Sequence, residues 1–423
     1  MKSDGWFTGI VSLWDLPEDK VYIDLKPNFK RTFLNSIKRN LSWRQLAVNV
    51  GFSYKILEHF RGGHKISLNT LHKILEYCKN YSIDVSKDVI ESNISRIGGQ
   101  QSEILNPKLP FNFNSEDGTK IIAACLNDGG LKSRGYIFFY TNTQLQKREE
   151  VATAVKRIFG TFNINIKREI VDFPNIVGMV LSFGIGLNTG QKVINNPEIP
   201  EFIFKLKKNI IASYIRQAFD DDGYVCCGKL YNHKLIGLTS NTASKQKPPI
   251  SNLLIDTKKL LKIVGINSQN VHKGKQRPKV YKDMKYISQE WKLLISGIYS
   301  LSKFQKVVNF GLKYKIANLK KIISELKRAS ISLHKPHGLS EEEAEEIVTD
   351  TINNISYIDK HLLASKMNIS VHWAKELLKK LENKQLIKPV RNRKSTSPNK
   401  FILKDSIISP SEHVNDFPPV EKR

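Results

Sequence analysis

Cysteine is scarce in this 423-residue chain: Cys78, Cys125, Cys226 and Cys227 are all there are. Two of them are adjacent, and adjacent residues of a strand point to opposite faces. Four such thiols make no disulfide framework, so a reducing, cytoplasmic setting is expected. Acidic residues are also few, 40 against 67 Lys+Arg, leaving a net charge of +27 and a pI near 9.7. No apolar run reaches the length of a membrane span. The start, Met1 to Trp6, lacks the apolar stretch of a signal peptide. A soluble protein with no membrane partner is therefore expected. No Cys/His spacing suggests zinc. Gly184, Gly186 and Gly190 match neither a dinucleotide fingerprint nor a phosphate loop, in spacing or ending.

What is present is positive charge spread along the whole chain. That distribution points to a polyanion as partner, the alternative being a generally basic solvated surface. The hydrophobic share of 40% is enough for real cores, and the length suits two or three domains. Residues 1–30 show no clear pattern. Residues 30–81 carry short helical patterns, and 81–118 read as a connection with Gly98, Gly99, Pro107 and Pro110. From 119 to about 328 helices and strands alternate twice. A polar linker over 330–340 leads to a helical unit, 340–404, and then to a Pro-containing tail expected to be disordered.

The first unit reads as three helices. Ser42 caps a helix that Gly51 closes, Ser53 precedes a second from Tyr54 to Phe60, and a third starts at Ser67. This looks like a Cro-type helix-turn-helix, with Tyr54, Lys55 and His59 on the recognition helix facing the major groove. An ordinary small helical bundle is the alternative.

The centre carries two acid–glycine motifs on helical backgrounds. The first ends Leu126-Asn127-Asp128-Gly129 and the second Phe219-Asp220-Asp221-Asp222-Gly223; a strand pattern follows each. If the two helices pack together, the carboxylates lie side by side and can hold divalent metal. Small residues permit close packing: Ala123 and Ala124 in one helix, Ala212, Ser213 and Ala218 in the other. Further along, an amphipathic helix over Gln144–Phe159 is expected to turn Leu145, Val151, Ala154, Val155 and Ile158 inward. Strands are expected over Phe162–Ile170, Ile176–Phe183, Leu235–Ser240 and Trp291–Ser296, and helices over Leu253–Val264 and Ser302–Asn309. Between them, a basic loop holds Lys273, Lys275, Arg277 and Lys279, placed for phosphate contact or else simply solvated. A calcium loop is excluded: with Gly223 sixth, the first and twelfth positions are Ala218 and Lys229.

These motifs, with Ile199-Pro200 before the second and Gly311 to Leu319 after it, resemble the LAGLIDADG (dodecapeptide) homing endonucleases over residues 115–328. The resemblance implies an α+β fold, a pseudo-symmetric tandem αββαββα core. It implies site-specific, metal-dependent double-strand cleavage of DNA by a monomer, with two or more Mg2+ ions. Asp128 and Asp222 would be the metal ligands, and Lys192 and Lys313 would stabilise charge at the phosphate. Two departures stand out. The first motif is ambiguous by one residue, since an ungapped alignment puts Gly129 in the acid's slot, and Gln217 stands where the family often has Gly. Asp220 is expected to face outward or cap the turn.

In the last unit, Ile358–Met367 and Val371–Asn383 read as helices, followed by strands at Leu386–Val390 and Lys400–Leu403. This looks like a winged helix whose His372, Lys375, Lys379, Arg391 and Arg393 face DNA, or else a protein-docking module. The chain begins with Met1 and lacks a terminal His-Asn pair, so a free-standing rather than a self-splicing protein is expected. The combined expectation is a cytoplasmic, nucleoid-associated DNA endonuclease. Its rivals are a transcription regulator on an inactive endonuclease core and an intron-binding maturase.

Overall fold

In the computed structural model, residues 8–99, 102–228, 234–281, 284–333, 341–367, 369, 371–390 and 400–404 are described. The expected α+β class holds in its coarse form. Among the described residues sixteen α-helices combine with small sheets, and every strand pair is antiparallel. The chain divides into two compact units, Met1–Ser296 with Ser300–Lys321, and Gly297–Tyr299 with Ile322–Arg423.

In the first unit, helix Trp43–Val50 forms where its capping box predicts. The Ser42 side chain accepts from the Gln45 N–H, the Gln45 side chain returns to Ser42, and Gly51 closes the helix at φ 84°. Helices Tyr54–Arg61 and Leu68–Asn80 follow. These helices do not stand alone. Strands Ile66–Ser67, Tyr22–Leu25, Ile94–Gly98 and Glu103–Leu105 form, in that order, a four-stranded sheet beside them. The stretch read as a connection thus supplies two strands, each too short to show a period in sequence.

The centre is built on two packed helices, Glu116–Leu126 and Lys208–Asp221. The first is capped by Ser115, with Glu116 and Asp117 in its first turn. Its Ile121, Ile122, Ala123 and Ala124 are fully buried, as are Ile211, Ile215 and Phe219 of its partner. Hydrogen bonds cross between them: Thr119 Oγ1 donates to the Ile210 carbonyl and Ser213 Oγ to that of Glu116, both at 3.2 Å, and Asn209 Nδ2 donates to Glu116 Oε1 at 3.1 Å. Small side chains at the crossing make these approaches possible.

The halves that follow are unequal. Counted from the second helix itself the order is αββαββα, with strands Gly223–Cys227, Lys234–Ser244, Met284–Ser296 and His272–Tyr281 forming one sheet in that spatial order. After the first helix the sheet has three strands: Gly129–Leu131, Phe138–Thr141 and Ile170–Asp172. The expected strand at Ile176–Phe183 is helical instead. Gly178 there lies so close to the Tyr136 carbonyl that a Cβ would come within 1.8 Å of it, an approach made by glycine in a helix following Pro174. Helix Leu145–Phe159 forms as expected, but Leu145 is 46% exposed rather than inward. The basic segment expected as a loop is mostly strand, His272–Tyr281, at the sheet edge.

The second unit contains helices Glu341–Ile355, Lys360–Met367 and Val371–Asn383 and the strand pair Ile387–Val390 with Lys400–Leu403. Its core joins Val348, Leu363, Ala374, Leu378 and Phe401. Arg391 and Arg393 lie outside the described residues, as does the tail expected to be disordered. Among the described residues no helix is long and apolar enough to cross a membrane.

Candidate functional site

The ends of the two central helices meet in a cluster of acids and lysines. Asn127 ends the first helix and Asp128 follows it, directly before strand Gly129–Leu131. Asp128 Oδ2 accepts from Asn142 Nδ2 at 2.9 Å. Asp222 ends the second helix, directly before strand Gly223–Cys227. The two acids come from separate helix–strand units, yet they interact. The Asp222 carboxyl is pushed up to about 6, by burial first and then by the charge of Asp128, against the pull of Lys192 and Lys315. Burial likewise raises Asp128, opposed by Lys192, the Asn142 hydrogen bond and Lys315.

Asp221 is the third acid of the cluster. Its Oδ1 accepts from Tyr140 Oη at 2.6 Å and from Gln217 Nε2 at 2.9 Å. Burial and the neighbouring Asp128 hold its carboxyl well above the usual range despite these donors. Asp220, expected to face outward or cap its own turn, is instead buried. Its Oδ2 pairs with Lys147 at 2.8 Å, and it accepts the backbone N–H groups of Gly311 and Leu312, at the entry to helix Lys313–Leu333. A carboxylate there satisfies otherwise unpaired donors at the helix start.

Each half supplies one lysine to the cluster. Lys192 Nζ donates to the Leu126 carbonyl at 3.2 Å and to that of Asn127. Lys315 Nζ donates to the carbonyls of Phe219 (2.8 Å), Asp220 (2.6 Å) and Gly223 (2.6 Å). Burial lowers the proton affinity of both, and the surrounding aspartates oppose it. Of the two lysines singled out in the sequence, Lys192 lies in this cluster and Lys313 is exposed, with Lys315 of the same helix in the cluster instead. The missed signal is periodicity. Leu312, Lys315 and Leu319 share one helical stripe and all are buried. Lys147 stands in the same way on the buried stripe of Val151, Ala154 and Val155.

The open face of the four-stranded sheet begins at Asp222. Tyr224 covers Gly237 on the neighbouring strand. At the sheet edge Lys273, Lys275, Arg277 and Lys279 are all exposed, but they do not share one face. Lys273 lies opposite Trp291, which is buried in the core. The register then shifts before Gln276, so Arg277 and Lys279 pair with Ser288 and Tyr286, on the face of Glu290 and Lys292. Lys275 sits in the bulge, its N–H donating to Glu290.

Elsewhere, Lys55 and His59 are exposed, and His59 packs on His64 at 5.3 Å between centroids. Tyr54 is half-buried beneath Arg44, at 5.6 Å. In the second unit His372, Lys375 and Lys379 are exposed on one face of their helix.

The donor set constrains any metal. Among the described residues no group of three His, Cys, Asp or Glu side chains is arranged to hold one ion. A cation of the Mg2+ type keeps waters and takes one or two carboxylates plus the oxygens of a phosphate ligand, a smaller protein donor set than three side chains. Two buried acceptors in the same seam, Asn127 Oδ1 and Gln217 Oε1, have no hydrogen-bond partner.

No family model matches the chain. A curated protein from Methanocaldococcus jannaschii, glutamine–fructose-6-phosphate aminotransferase [isomerizing], is 24% identical over 331 residues. The match covers 73% of this chain and 26% of that protein, so the chain spans about a quarter of its relative's length. This finding points to a family other than LAGLIDADG and corrects the resemblance drawn from the two motifs. The reading as a site-specific DNA endonuclease falls with it, and so do the nuclease, hydrolase and DNA-binding assignments that rested on that family. The regulator alternative gains no support. In physical terms, an acid followed by glycine at a helix end is a common stop signal. The two copies also differ: the glycine's Cβ would meet the carbonyl five residues back at Gly129 but four back at Gly223.

Proposed function

We propose that the central part of this chain binds a phosphate-bearing polyanion with the help of a divalent cation, Mg2+ in the first instance, held between Asp128 and Asp222. The observation that carries this reading is that the two packed helices bring their acid-bearing ends into one network: Asn142 Nδ2 donates to Asp128 Oδ2 and to Tyr140 Oη, and Tyr140 Oη donates to Asp221, the neighbour of Asp222. A metal shared with phosphate oxygens would relieve the mutual repulsion of the acids. Arg277 and Lys279 would meet further phosphates along the open sheet face that starts beside Asp222. Both acids belong to one chain, so the site needs no second copy.

The transfer of nitrogen named in the relative is not carried over. Such chemistry calls for an activated nucleophile at the amide carbon. The buried thiols of Cys78 and Cys125 are pushed up to about 11 and about 12 by burial and stay protonated near neutrality, which leaves the half-buried Cys226 and the exposed Cys227 as the accessible thiols.

Calorimetric titration with Mg2+ and with Mn2+, alone and with duplex DNA, duplex RNA or heparin as the polyanion, tests the proposal. Asp128→Asn and Asp222→Asn should each weaken cation affinity about tenfold or more. Wild-type affinity should fall as the pH drops below about 6, because the cation must displace the Asp222 proton. Equal cation binding by wild type and both variants would refute the site.

A further inference from the structure

A second anionic ligand site is indicated far along the sequence from the acid cluster, and independently of it. A cavity of about 830 Å3 lies among the helices and the sheet of the N-terminal part. Its lining includes four cationic side chains, Lys30, Arg31, Arg61 and Arg96, and one carboxylate, Asp24. That carboxylate is already committed. Asp24 Oδ1 accepts from Lys30 Nζ and Oδ2 from Arg96, each at 2.8 Å. Two cations thus surround one buried anion, and Arg31 and Arg61 add charge with no carboxylate of the lining to offset it. The Arg61 guanidinium lies over the ring of Trp43, 4.2 Å from its centroid, and Trp43 also lines the cavity. The guanidinium is thereby pre-oriented, which lowers the entropic cost of gripping a ligand.

We infer that this cavity binds a small phosphate monoester, its phosphate gripped by Arg31 and Arg61 and its remainder seated in the cavity. The volume suits a small molecule, and guanidinium forks match phosphate oxygens in pairs. The buried Asp24 group fixes the cavity floor, with Lys30 also donating to the Phe60 carbonyl at 2.9 Å.

The full chain is titrated calorimetrically with inorganic phosphate, a nucleoside 5′-monophosphate and a hexose 6-phosphate. Binding of at least one monoester more tightly than inorganic phosphate is expected, and the better one identifies which class of monoester fits. Arg31→Gln and Arg61→Gln should each weaken it about tenfold, as loss of one charge-assisted pair implies. Lys55→Gln removes the same charge from an exposed position outside the cavity and should leave affinity unchanged. Circular dichroism confirms that each variant is folded. The inference is overturned if no monoester binds, if inorganic phosphate binds as tightly, or if Lys55→Gln costs as much as the arginine variants. Asp128→Asn and Asp222→Asn should leave this binding intact, which separates the two sites.

Discussion

Asp222 sits where a helix stops and a strand begins, and its burial beside Asp128 sets its chemistry. Its folded-state proton affinity is raised above that of an ordinary carboxylate, so the folded chain holds the proton more tightly than the unfolded chain does. The stabilising contribution is complete below about pH 4 and is lost as pH rises through about 6. Asp128, Asp221, Lys192 and Lys315 face the same group and modulate the window. Without added metal, Asp222→Asn should therefore be more stable than wild type at pH 7.5, by about 1–2 kcal/mol, with the difference shrinking toward pH 5. Urea melts at the two pH values measure it. A wild type that outlasts the variant at pH 7.5 would show that the acid is not strained there.

Among the elements, Lys147 and Asp220 tie three helices at one point. Lys147 comes from Leu145–Phe159, Asp220 from Lys208–Asp221, and the N–H groups that Asp220 accepts lie at the start of Lys313–Leu333. The side chains are 2% and 0% exposed. Lys147→Met leaves a buried carboxylate without its counter-charge and should cost about 3–5 kcal/mol. Lys147→Met combined with Asp220→Asn should recover part of that loss, because the amide keeps an acceptor for Gly311 without a charge. Chemical denaturation of the single and double variants gives both figures, and a further loss in the double variant would contradict the pairing.

At the scale of the whole molecule, a net charge of +27 favours polyanions in general, and the sheet determines which cations act together. Replacing Arg277 and Lys279 together by Gln should reduce the dependence of log affinity on log salt by about 2 for a duplex DNA probe, close to one for each phosphate that is no longer neutralised. Lys273→Gln should leave the slope nearly unchanged, since Lys273 lies opposite Trp291 on the other face. Fluorescence anisotropy across a salt series makes the comparison. A drop in slope for Lys273→Gln equal to one half of the double variant's would show that the cations act as diffuse charge rather than from one face.

Local signals carried much of this structure in plain view. Ser42, Gln45 and Gly51 bound their helix by backbone chemistry that needs no partner. The acid–glycine ends of the two central helices and the positive charge of segment His272–Tyr281 could be read in the same way. What could not be read depends on packing between distant segments. Lys315 rather than Lys313 reaches the Phe219, Asp220 and Gly223 carbonyls because helix packing turns that face inward. Asp220 is buried because Lys147 arrives from another helix to neutralise it. Ile176–Phe183 is helical rather than extended in a segment where Gly178 lies against the Tyr136 carbonyl. Sequence alone determined where the chain can cap, turn and carry charge. Tertiary structure decided which charges face one another, because burial and Coulomb energy depend on distances that only packing sets.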